Sequence, residues 1–174
     1  LGGGSFRSHA ATQVLATRWD MLPEENGFPA NRQFYIVEDG KQIFYSADVL
    51  DENVKEAYCI HSQNNTVLEY ETKCGLKITR TIFLLPQYEG LPVATEVQRI
   101  AITNTTGKKR DLKIVATGMF GTGAPHALME DVVYSTVIMQ SQVMSDDNGN
   151  MLAYLPSYYP EHAKMDVRFT SLVG

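Results

Sequence analysis

Only two cysteines, Cys59 and Cys74, occur in 174 residues, too few for a disulfide scaffold, and neither lies in a CxxC pair. Sparse thiols give a mild expectation of a reducing, cytoplasmic setting. The four histidines, His9, His61, His126 and His162, show no HxH or HExxH spacing, so no metal centre is expected. No apolar run approaches the ~20 residues of a membrane-crossing helix, and the opening residues lack the charged and apolar regions of a secretory signal. A basic excess is also missing. Fifteen Lys and Arg stand against 20 Asp and Glu, a net charge of -5, so no positive field gathers the phosphates of a nucleic acid. Membranes and nucleic acids are therefore not expected as partners. Two sequons, Asn64-Asn65-Thr66 and Asn104-Thr105-Thr106, matter only in a glycosylating compartment.

Catalytic signatures are equally scarce. No serine sits in a GxSxG elbow, and Leu1-Gly2-Gly3-Gly4-Ser5 lacks the GK[ST] ending of a phosphate-cradling loop, which leaves Ser5 reading as loop. Asp146-Asp147-Asn148-Gly149-Asn150 lacks the alternating ligands and closing glutamate of a calcium loop and reads as a hairpin turn. The acidic pairs Glu24/Glu25, Asp51/Glu52 and Glu130/Asp131 are adjacent in sequence, so on strands each pair splits between opposite faces. No catalytic residue and no cofactor is expected.

What is present is ordinary globular composition, 44% hydrophobic and 20% charged, enough for one domain over residues 1–174. The dominant period is two. Leu76, Ile78, Ile82 and Leu84 share a face opposite Lys77, Thr79 and Thr81, and Val67 to Thr72 alternates likewise, with Lys73-Cys74-Gly75 as the turn between two antiparallel strands. Arg32 to Glu38 and Lys41 to Ser46 flank Asp39-Gly40, a dipeptide that tolerates the positive φ of a tight hairpin. Val97 to Thr103 and Asp111 to Gly118 are expected to form a third hairpin, with Ile100 and Ile102 beside Leu112 and Ile114 and with Lys108-Lys109-Arg110 in a solvated turn. Further strands are expected at Gln13 to Trp19, Ala57 to Ser62, Val132 to Gln140, Met151 to Leu155 and Met165 to Thr170. The best helix candidate is a turn or two within Ala47 to Glu56, capped by Asp48 or Asp51. Many short strands with regular turns indicate an all-β sandwich or barrel.

Arg80 falls on the apolar face of its strand, where an unpaired guanidinium is costly, and the expected remedy is a buried carboxylate. Aromatic rings stack on the C–H faces of sugars while neighbouring polar groups take the hydroxyls, so Arg18, Trp19 and Asp20 form the candidate sugar site, with Tyr158-Tyr159 a weaker one; a lone Trp in an all-β domain is otherwise a core residue.

The ordered segments Ala16-Thr17-Arg18-Trp19-Asp20, Arg32 to Gly40, Phe44-Tyr45-Ser46, Tyr70-Glu71, Gly75 to Leu84 and Val97 to Leu112, behind the Gly-rich opening, resemble the N-terminal domain of the glycoside phosphorylases. This is glycoside hydrolase family 94, formerly glycosyltransferase family 36, with cellobiose and chitobiose phosphorylases and cyclic β-1,2-glucan synthases among its members. The resemblance covers most of residues 1 to 120 and few positions after Phe120. It implies an antiparallel super-β-sandwich of the galactose-mutarotase-like type that is itself non-catalytic, supports a homodimer and borders an active site. It also implies an oligosaccharide or β-glucan as substrate of the parent enzyme and, in the same parent chain, an (α/α)6 barrel carrying the inverting, phosphate-dependent chemistry. The opening Leu1-Gly2-Gly3-Gly4 and the stop at Leu172-Val173-Gly174 right after a strand-like run fit a domain cut from such an enzyme. The alternatives are a free-standing, lectin-like module and a small mutarotase-like isomerase, which would need a histidine and a carboxylate converging in the sandwich cleft.

Overall fold

The computed structural model describes residues 5–9, 12–15, 33–86, 89, 95–117, 142–148, 151–155 and 168–172, and these form strands and turns with no helix. The fold is all-β. The chain divides into two compact units, one of residues 1–32 and 116–174 and one of residues 33–115.

In the first unit, β1 (Ser5–His9) pairs antiparallel with β2 (Thr12–Leu15), and β10 (Gln142–Ser145), β11 (Met151–Leu155) and β12 (Arg168–Leu172) form an antiparallel meander. Ser5, expected in a loop, opens β1 instead, because its backbone is paired with Leu15. The acidic stretch after Ser145 does turn a hairpin, Ser145 lying opposite Met151, and Asp146 Oδ1 accepts from Asn148 N at 2.9 Å. The strand expected over Val132 to Gln140 lies outside the described residues.

The second unit holds two sheets. One runs β4 (Lys41–Tyr45), β3 (Gln33–Glu38), β9 (Lys113–Thr117); the other runs β5 (Val54–His61), β6 (Asn65–Thr72), β7 (Leu76–Leu84), β8 (Glu96–Asn104). The β3–β4 turn places Asp39 at φ 50° and Gly40 at φ 74°, the two left-handed residues of a tight hairpin. Period two then sorts the faces: Tyr70, Ile78 and Ile102 lie side by side across β6, β7 and β8, as do Leu68, Arg80 and Ile100. Phe34, Ile36 and Phe44 from the first sheet and Tyr70, Leu76 and Ile78 from the second form one buried cluster, tied by an edge-on contact of Phe44 and Tyr70 at 5.1 Å. Each fully buried side chain of this kind contributes about 1.5–3 kcal/mol relative to exposure.

Two expectations fail here. Residues 47–53 form turns rather than helix, and the proposed capping carboxylates close Asx turns: Asp48 Oδ1 accepts from Leu50 N at 3.2 Å and Asp51 Oδ1 from Asn53 N at 2.7 Å. Carboxylates that satisfy the backbone two residues on offer the chain a rival to the helix. The third hairpin is also absent, since β8 pairs with β7 while β9 joins the other sheet beside β3. Ile100, Ile102, Leu112 and Ile114 nonetheless all pack on the same core cluster, so the periodicity is right and the pairing is not.

Gly75 is the tightest joint of this unit. Its φ is +82°, a methyl built on it overlaps Thr106 Cγ2, and its carbonyl accepts from Thr105 N at 2.9 Å and Thr105 Oγ1 at 3.0 Å. Gly40, at φ +74°, faces open space. In urea denaturation Gly40→Ala is expected to cost about 1–2 kcal/mol, the ordinary penalty for a left-handed alanine. Gly75→Ala is expected to cost clearly more; equal costs would show that the Thr106 contact is slack.

Candidate functional site

The sugar-site candidates Arg18, Trp19 and Asp20 lie outside the described residues, as do Tyr158, Tyr159, His126 and His162. What the structure does assemble are three polar groupings in the second unit, each placed by strand register.

The first surrounds Arg80. Its position on β7 turns the side chain to the core face, where the residue is 4% exposed and its guanidinium carbon stands 5.9 Å over the Phe34 ring. Nη1 donates to Gln33 Oε1 at 2.9 Å and Nη2 to Gln98 Oε1 at 2.7 Å. Behind Gln98, its Nε2 donates to Glu96 Oε1 at 2.6 Å. Gln33 Oε1 also accepts from Ser46 Oγ at 2.7 Å, and that hydroxyl accepts from Phe34 N at 2.9 Å. The Tyr70 hydroxyl donates to the Ser46 carbonyl at 3.3 Å, and burial pushes this phenol above its ordinary pKa. The expected partner was a buried carboxylate; the partners seen are the amide oxygens of Gln33 and Gln98, and Glu96, which is half-buried, stands one bond behind Gln98. Guanidinium, amide and carboxylate are the groups that sugar hydroxyls require, and here they bond to one another and lock β3, β7, β8 and the turn that begins at Ser46 together.

The second grouping surrounds Arg110. It does not sit in a solvated turn, as its basic neighbours suggest; its side chain is 10% exposed, and Nε and Nη2 grip Glu38 Oε1 and Oε2 at 2.7 and 2.6 Å. The third nitrogen, Nη1, donates to the Cys74 carbonyl at 2.8 Å. This two-pronged charged pair is the strong form of an ion pair, and it fixes the crossing from β8 to β9. The guanidinium hydrogen bonds hold the Glu38 carboxyl below the usual carboxylate range. Asn53 completes the joint: its Oδ1 accepts from Cys74 N at 3.0 Å and its Nδ2 donates to Ile43 O at 2.6 Å. Burial pushes the Cys74 thiol up, but hydrogen bonds from Thr72, Asn53 and Arg110 outweigh it and bring it below the ordinary thiol value.

The third grouping is exposed, on edge strand β5. Cys59 Sγ lies 3.5 Å from His61 Nε2, and His61 Nδ1 lies 2.9 Å from Thr66 Oγ1. Motif searches for HxH and CxxC pass over it; the mixed C-x-H spacing on a strand, where residues two apart share a face, is the signal that finds it.

Among the described residues no helix is long and apolar enough to cross a membrane. No family model matches this sequence, and no curated protein matches it either.

Glu38 sets a pH test. Its folded pKa is depressed, so its contribution to stability is fully present above the ordinary carboxylate value and is lost as pH falls through the lower folded value. Thermal melting from neutral into acid is expected to show a decline that is shallower in Glu38→Gln, with the variant less stable at neutral pH; parallel profiles would exclude the pair as the acid-sensitive joint. At Arg80, the Lys replacement cannot bridge both glutamines and loses one of the two guanidinium bonds, an expected loss of about 1–3 kcal/mol in denaturant midpoint analysis.

Proposed function

We propose that this chain is a non-catalytic, galactose-mutarotase-like β-sandwich domain of a glycoside phosphorylase or related β-glucan enzyme, serving as scaffold for a catalytic (α/α)6 barrel. One observation carries the reading: of the segments that resemble the phosphorylase N-terminal domain, those between Gln33 and Leu112 build the second unit. Phe34, Ile36, Phe44, Tyr70, Leu76 and Ile78 from those segments are its core. Gly75, Arg80 and Arg110, also from those segments, are its joint and its two guanidinium clamps. A match concentrated on architecture rather than on a reactive constellation favours a scaffold that positions other parts of an enzyme. The two sheets that share this core supply the layers such a sandwich needs.

The scaffold and a stand-alone sugar-binding module differ at Trp19, the single indole of the chain. Titration with glucose, cellobiose and laminaribiose into the millimolar range, followed by tryptophan fluorescence and checked by a β-type circular dichroism spectrum, is expected to give no saturable shift. A saturable shift would replace the scaffold with an autonomous carbohydrate-binding module centred on Arg18, Trp19 and Asp20.

A further inference from the structure

Strand β5 ends its sheet, and among the described residues no strand pairs with its outer edge. Every residue from Lys55 to His61 is exposed, the two largest apolar ones, Tyr58 and Ile60, at 57% each. Which backbone groups face outward follows from the turn. Ser62 N donates to Asn65 O at 2.9 Å, so these two form a hydrogen-bonded pair, and alternation along the register turns the N–H and C=O of Ile60 and Tyr58 toward β6. The N–H and C=O of Ala57, Cys59 and His61 therefore point to the open edge. Proteins commonly blunt such an edge with charge or a bulge. Here both stand only at the start of the strand, where the register shifts between Val54 and Glu56 and where Lys55 and Glu56 carry charge. From Ala57 to His61 no Lys, Arg, Asp or Glu follows. The opposite edge of the sheet, β8, carries Arg99 exposed at mid-strand.

The open stretch is complementary to itself. We propose that β5 pairs antiparallel with β5 of a second copy of this chain, about a two-fold axis at Cys59, joining two four-stranded sheets into one. In that register Cys59 faces Cys59 of the second copy and Ala57 faces His61 of the second copy, and each pair exchanges the N–H and C=O that β6 leaves unused. Tyr58 faces Ile60 of the second copy in the non-hydrogen-bonded positions, where side chains stand closest. An aromatic ring against a β-branched chain is a favourable cross-strand pair, and the Tyr58 hydroxyl already donates to Glu56 Oε2 at 3.1 Å, so covering the ring strands no donor. Other axes match less well. An axis at Tyr58 sets the Glu56 carboxylate against Ile60, one at Ile60 leaves Tyr58 facing Ser62, and one at Ala57 runs Ile60 against the irregular pairing after Val54. The pairing draws on this strand alone and stands whether or not the chain serves a phosphorylase.

Sedimentation of the reduced chain over about 1–200 µM tests it, with a monomer–dimer equilibrium expected in that range. Ile60→Glu sets a carboxylate beside Glu56 and against the Tyr58 ring of the other copy, and is expected to weaken the dimer about tenfold or more. Leu50→Glu, at a turn residue that is 92% exposed, makes the same charge change elsewhere and should leave the equilibrium unchanged. A short bismaleimide reports the register independently of any folding defect in Ile60→Glu: it should link parent dimers and Cys74→Ser dimers through Cys59 and fail on Cys59→Ser. A parent chain that stays monomeric throughout, a Leu50→Glu defect equal to that of Ile60→Glu, or a dimer that gives no Cys59 cross-link would each overturn the pairing.

Discussion

The second unit depends on where a single guanidinium is placed. After β8 the chain carries Lys108, Lys109 and Arg110, three cations that a local reading assigns to water, and Lys108 and Lys109 are indeed exposed. Arg110 instead spends all three nitrogens inside, two on Glu38 and one on the Cys74 carbonyl. Those partners belong to β3 and to the β6–β7 turn, one from each sheet. A chain held at that point continues along β3 as β9 and cannot fold back on β8. The topology therefore follows from a bidentate pair that joins residues far apart in sequence, and hydrophobic periodicity alone does not encode it.

The same joint explains the glycine beneath it. Arg110 draws on the Cys74 carbonyl, Asn53 holds the Cys74 N–H, and Thr105 caps the Gly75 carbonyl, so successive backbone groups of this turn are each satisfied from a different segment. Such convergence leaves no volume for a side chain at residue 75. At the other clamp the balance is similar: Arg80 is buried between Leu68 and Ile100 with its guanidinium over Phe34, and Gln33, Gln98 and Ser46 convert that liability into a network linking β3, β7, β8 and the residue that follows β4. A pair of neutral amides around a buried cation spreads its charge without burying a second one nearby, and Glu96 supplies the negative end where the network approaches the surface.

Strand positions were legible in the sequence because alternation is a local property. Asp39-Gly40, Lys73-Cys74-Gly75 and the acidic turn before Met151 also declared themselves, since each turn needs residue types that few other conformations favour. Partner choice was not legible: Ile100 and Ile102 carry the same pattern whether they face Leu112 and Ile114 in one sheet or meet them across a core. The helix expected over residues 47–56 failed for a related reason, because aspartates that cap helices also close Asx turns, and Asn53, through its bonds to Cys74 and Ile43, ties the end of those turns to the start of β5. For Arg80 the sequence located the problem, a guanidinium on the core face, but its partners are the amides of Gln33 and Gln98 where a buried carboxylate was expected.

Strand β5 shows what an edge does to side-chain chemistry. From Lys55 to His61 it is exposed on both faces, although its backbone is paired along β6, so its residues owe little to packing. Lys55 is committed to Glu71 at 2.7 Å, which places a charge on the edge of the sheet, a common guard against strand addition. Cys59 stands opposite Leu68 and His61 opposite Thr66, so both share the sheet face that, further into the sheet, carries Leu68 and Tyr70 to the core. Their contacts run along and across the ladder: Sγ of Cys59 lies 3.5 Å from Nε2 of His61, and Nδ1 of His61 lies 2.9 Å from Oγ1 of Thr66.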